Sequence, residues 1–168
     1  MSPASCLVSP AADHHTPASK ASANLSSAIA STRLQVLVWL DHLNPESKAI
    51  MSAGLYLVNP DTSQHGTLVR AIKAGAESHV EAFRNFNPLP SSIRGWSADI
   101  AVLPQEHDTV INVMSRIPFE DDGEWDGQHW VGAALRRMVE LKLITDKERE
   151  LGLDKMVDFL IEAVDMIH

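Results

Sequence analysis

Apolar residues recur at i, i+3, i+4 and i+7 along this 168-residue chain, and that spacing limits its fold more than any other feature. Such a row lines one side of an α-helix, which must then bury it against another element. Val36, Trp39, Leu40 and Leu43 follow it, and so do Val110, Val113, Met114 and Ile117. The stretch 128–143 turns Val131, Ala134, Leu135 and Met138 to one side. Leu153, Met156, Val157, Leu160, Ile161, Val164 and Ile167 hold the register almost to the last residue and predict an inward-facing helix over 153–167.

The helix breakers agree with this reading. Asn44-Pro45-Glu46 has the pattern of an N-cap, an N1 proline and a first-turn acid, opening a helix that runs to about Val58. Thr67–Phe86 predicts a further helix with Leu68, Ile72, Ala76, Val80 and Phe83 inward, and Arg70, Lys73, Glu77, Glu81 and Arg84 outward. A shorter helical piece fits Ala98–Leu103, before Pro104, and Asp108 caps the helix that Pro118 closes. Thr145-Asp146-Lys147-Glu148 is a capping box for a short turn ended by Gly152. Two stretches keep a strand alternative: the apolar run 34–40, and the β-branched run 109–113, which would form a hairpin with 99–103. The expected fold is therefore mainly α: one compact helical domain over 33–168, of about six helices, centred on the 45–58, 67–86, 128–143 and 153–167 helices. The alternative is α+β with a small hairpin near 99–114.

A chain of this length, 45% hydrophobic, buries one sizeable core. No apolar run approaches the ~20 residues that cross a bilayer. The start has neither the basic nor the apolar segment of a signal peptide, and Cys6 is the single cysteine, so no internal disulfide or thiolate-rich zinc site is expected. Residues 1–32 carry eight Ser, eight Ala and three Pro, too little large apolar surface to offset ordering entropy, and predict a disordered tail. These features predict a soluble cytoplasmic protein. In composition the tail resembles the secretion leader of bacterial type III effectors, which would imply export instead.

Charge is lopsided. Residues 1–119 hold nine Asp/Glu against eight Lys/Arg, and 120–168 hold thirteen against six, so the two parts carry −1 and −7 of the net −8. The acidic part repels nucleic acid and membrane surfaces and suits a basic protein partner. Asp154, Asp158, Glu162 and Asp165 follow i, i+4, i+8 and i+11 along the last helix, with Lys155 placed to offset Asp158. Like charges so spaced cost a few tenths of a kcal/mol each, so helix stability alone does not account for them. They are the candidate partner-binding residues.

The other motifs are partial. Asp122, Glu124 and Asp126 alternate before Gly127 and resemble the first half of a calcium loop, which would hold Ca or Mg through oxygen ligands. The twelfth position is Ala133, where that loop needs a bidentate Glu, and the plainer role of Asp126 is to cap the following helix. His79-Val80-Glu81 resembles the start of a zinc deaminase signature without its paired cysteines. His107-Asp108 resembles the dipeptide of HD-type metal-dependent phosphohydrolases, which are all-helical; the resemblance implies His79, His107 and Asp108 as metal ligands and a hydrolytic activity. No glycine-rich phosphate loop or nucleophile elbow is present, and Arg136-Arg137 is the only adjacent basic pair. The expected function is a non-enzymatic interaction protein without a cofactor, of accessory, regulatory, effector or inhibitor type, using its acidic C-terminal third. The HD-type hydrolase is the alternative.

Overall fold

The computed structural model describes residues 31–41, 50–58, 65–74, 77–88, 95–118 and 127–167. Its described residues between 32 and 103 form a sheet, not a set of helices. Among the described residues five strands, β1 (Thr32–Asp41), β2 (Ile50–Val58), β3 (Gly66–Ala74), β4 (Glu77–Phe86) and β5 (Gly95–Leu103), precede three helices, α1 (His107–Met114), α2 (Gly127–Glu140) and α3 (Asp146–Ile167). The strands pair antiparallel in the order β4-β3-β2-β1-β5, so β5 returns past the meander to the far side of β1. The molecule is α+β. This overturns the mainly α, all-helical expectation and the helices expected at 34–43, 45–58, 67–86 and 98–103. The expected hairpin of 99–114 does not form either: β5 pairs with β1, while 107–114 is helical.

The reason is visible strand by strand. Leu34, Val36 and Val38 of β1 join the main core with Ala53, Leu55 and Leu57 of β2 and Val69 of β3. The residues between them, Leu37 and Trp39, enter a second cluster with Tyr56, Val58 and Leu68. A strand buried on both sides loses its alternation. A continuous apolar run then contains i, i+3, i+4 matches whatever its conformation. In the β3–β4 hairpin the confusion has another source. Leu68 and Ile72 are four apart on one strand, a spacing that also keeps strand residues on one face. Val80 pairs with Ala71 and packs on the other face, so the helical stripe from Leu68 to Val80 mixes the two sides of the sheet. Ala74 of β3 pairs with Glu77 of β4 at the end of this ladder.

All three helices pack on one side of this sheet. α3 lies over β1 and β5 and α2 over β2 and β3. Hydrogen bonds from α1 reach Thr67 of β3 and Arg84 of β4. Trp130, Val131, Ala134, Leu135 and Met138 of α2 and Val110, Ile111 and Met114 of α1 fill the core between the layers. On the opposite side, the second cluster consists of strand side chains among the described residues. There Arg70 lies 4.8 Å from the centroid of Phe83 and 5.5 Å from that of Trp39, a cation–π arrangement. Tyr56 donates a hydrogen bond to the Phe86 carbonyl at 3.1 Å, and burial pushes its phenol pKa up.

Local chemistry explains the breaks in regularity. Between Gly66/Phe86 and Leu68/Phe83 the register gains a residue on β4, a bulge where Asn85 adopts φ 57°. α2 ends in a Schellman motif: Leu143 N–H bonds the Met138 carbonyl and Lys142 N–H the Val139 carbonyl, both at 2.9 Å. Lys142 occupies the left-handed position at φ 57°. The capping box is real, since Thr145 and Glu148 exchange bonds of 2.7 Å and 3.2 Å. It opens α3 itself rather than a separate turn, and Gly152 lies inside that helix, where a Cβ would meet Ile100 at 2.9 Å. The expected tail of 1–32 falls outside the described residues except for its last two, of which Thr32 begins β1 and is fully buried.

Candidate interaction site

α3 has 22 residues, so it rises about 33 Å, and at 100° per residue it presents distinct sides. Gly152, Met156 and Ala163 are buried, Gly152 against Ile100 of β5 and Leu135 of α2, with Leu153, Phe159 and Leu160 partly buried and packed on the main core. Val157, Ile161 and Val164 belong to the same sequence stripe, yet they are 50%, 57% and 39% exposed. The apolar arc from Met156 to Ile161 spans about 140°, wider than one packed face can cover. This corrects the inward assignment of Val157, Ile161 and Val164: these three of the stripe's seven residues face out.

The acidic row runs along one edge of that open ridge. Asp154, Asp158, Glu162 and Asp165 are all exposed. Lys155 Nζ lies 3.3 Å from Asp158 Oδ2, the single salt bridge to this row among the described residues. The four predicted partner-binding residues thus stand together, beside an apolar ridge that sequence reasoning placed inside. The signal available for the ridge was the width of the stripe.

A second feature lies between α1 and α2. A cleft of about 620 Å³ has Val113, Ile117, Ala133 and Leu141 among its apolar lining, and Thr109, Asn112, Arg116, Arg136, Arg137 and Glu140 as its polar side chains. Arg137 is held by Glu140 at 2.6 Å. Arg116 and Arg136 are exposed and in no salt bridge among the described residues. No sequence motif pointed to Arg116, which is isolated in the chain.

The alternative metal set is not brought together. His79 sits on β4 opposite Ile72, half exposed and 3.7 Å from Glu81. His107 lies against Thr67, five positions away along β3, or roughly 17 Å at strand spacing. His107 and Asp108 also part company: the imidazole Nε2 is 3.0 Å from Thr67 Oγ1, while Asp108 accepts from Arg84 at 2.7 Å. Burial pushes the His107 pKa below its ordinary value, Asp108 opposes that shift and Arg84 adds to it. Its Nδ1 is buried without a hydrogen-bond partner among the described residues, so a proton on both nitrogens would leave one unpaired. Asp108 is not the cap it was expected to be; Glu106 holds the N-cap position and Asp108 the first turn. Among the described residues no three His, Cys, Asp or Glu side chains gather as a metal site. The proposed calcium ligands Asp122, Glu124 and Asp126 lie outside the described residues. No helix among the described residues is long and apolar enough to cross a membrane.

Comparison with known proteins finds no matching family, no matching curated protein and no matching solved structure.

Proposed function

We propose that this chain is an interaction protein rather than an enzyme, and that it holds a protein partner with a basic surface on the outward side of α3. The observation that carries this reading is the pairing of an exposed apolar ridge, Val157, Ile161 and Val164, with the acidic row Asp154, Asp158, Glu162 and Asp165. Apolar area left in water on a packed helix adds nothing to folding, and side chains so placed supply the contact energy of an interface. The acids then steer and orient a cationic partner. The partner chemistry that fits is an apolar strip with Lys or Arg along one side.

The test is a titration with two labelled amphipathic helical peptides of the same apolar pattern, one flanked by Lys and Arg and the other by Glu. The cationic peptide binds and the acidic one does not, and Asp158→Lys with Glu162→Lys weakens binding at least tenfold while the melting temperature stays put. Equal binding of both peptides, or undiminished binding by the double variant, contradicts the proposal.

A further inference from the structure

We infer that the partner seated on α3 is a second copy of this chain, in a two-fold dimer where the α3 ridge of each copy occupies the arginine-rimmed cleft between α1 and α2 of the other. The inference rests on the proposed docking role of α3 and names its occupant. The partner chemistry that the ridge demands, an apolar floor with cations along its edge, is what the cleft offers in Val113, Ile117 and Leu141 beside Arg116 and Arg136. The cleft in turn requires an apolar row flanked by acids, and α3 is such a row. Arg116 and Arg136 are exposed and outside any salt bridge among the described residues, so their charges are available to an incoming carboxylate.

Placement allows both contacts at once. α1, α2 and α3 pack on the same side of the sheet, so ridge and cleft belong to one helical layer. When two such layers face each other across a two-fold axis along the helices, ridge meets cleft and cleft meets ridge. That contact is closed and limited to two copies. Pairing α3 with α3 is the poorer solution. An antiparallel two-fold arrangement sets the two acidic rows on the same side of the contact, where like charges repel.

Sedimentation velocity on the full chain from about 1 to 200 μM, with charge-reversed pairs, tests this directly. Variant one carries Arg116→Glu and Arg136→Glu; variant two carries Asp158→Arg and Glu162→Arg. The natural chain shifts from monomer to dimer as concentration rises, and each variant alone dissociates at least tenfold more readily. Mixing the two variants restores a one-to-one dimer, because each reversed ridge then meets a reversed cleft. Circular dichroism and melting of each variant confirm that the fold persists. A natural chain that stays monomeric to 200 μM, either variant that dimerises unchanged, or a mixture that fails to recover overturns the inference. If the chain is monomeric yet binds the cationic peptide through Asp158 and Glu162, the docking role stands and only the identity of the partner falls. If only the arginine reversals matter, the cleft holds something other than α3 and the inference falls.

Discussion

β1 and α3 both carry more apolar residues than one packed face requires, and they dispose of the surplus in opposite ways. In β1 every side chain from Val36 to Leu40 is buried, with alternate residues serving the helical side of the sheet and the aromatic side. In α3 one side is buried and the other leaves Val157, Ile161 and Val164 open beside four acids. The comparison teaches that an apolar surplus is ambiguous by itself. On the central strand β1 it fills two cores, and on α3 it stays exposed to solvent.

Truncation puts the difference to the sharpest trial. Trp130 is fully buried, and Trp130→Ala should cost about 3–5 kcal/mol in equilibrium denaturation. Trp39, 5% exposed on the aromatic side, should lose a similar amount as Trp39→Ala, about 3 kcal/mol or more. A loss for Trp39 below about 1 kcal/mol would reduce that side to a surface and break the comparison.

Gly66 tests how closely the strands depend on one another. A Cβ there would overlap the Leu57 carbonyl oxygen and lie 2.7 Å from the Tyr56 ring. Gly66→Ala should therefore cost about 1–3 kcal/mol and weaken protection of the β2 and β3 amides from exchange.

The seat of α1 on the sheet should respond to pH. The folded His107 has a lowered pKa while the unfolded residue titrates near 6.5. Between these values the unfolded chain binds the extra proton, so stability rises with pH there. The contribution of neutral His107 is whole above about pH 6.5 and is lost as pH falls through its folded pKa. Melting midpoints measured from pH 7.5 downward should fall, and His107→Gln should flatten that slope. An identical slope in the variant would assign the effect to other groups.

The smallest effect is a gain. Lys142 holds the left-handed position after α2 that glycine occupies without strain. Lys142→Gly should raise stability by up to about 1 kcal/mol, read as a shift of the denaturation midpoint.

These contrasts also explain what could be read from the residues alone. α1 and α2 emerge within a few positions of their expected spans because each is amphipathic in the ordinary way, with polar residues opposite Val110 and Met114 or Leu135 and Met138. α3 begins seven residues earlier than the expected 153, at Asp146, because Gly152 suggested a boundary. In fact it permits a close approach to Ile100 and Leu135. Burial on both sides hid β2 and left β1 with a strand alternative over 34–40 that the structure bears out. In β3 and β4 the four-residue steps from Leu68 to Val80 imitated a helix stripe, although those two residues lie on opposite faces of the sheet. Gly75 in mid-stripe was a helix-breaking signal worth about 1 kcal/mol. Of the candidate site, the acids were legible from spacing. Their apolar neighbours were assigned to the wrong side because a sequence shows the width of a stripe but not how much of it a sheet edge covers. The cleft arginines come from two helices, and no local pattern joins Arg116 to Arg136.

The claim at the centre is that the outward side of α3 binds and does not stabilise. Titration of the cationic amphipathic peptide into a chain carrying Val157→Ser and Ile161→Ser, compared with the natural chain, tests it most directly. The account predicts affinity reduced at least tenfold with a melting temperature within about 2 °C of the original, as expected for exposed positions. Unchanged affinity, or a melting temperature lowered as a core substitution would lower it, would contradict it.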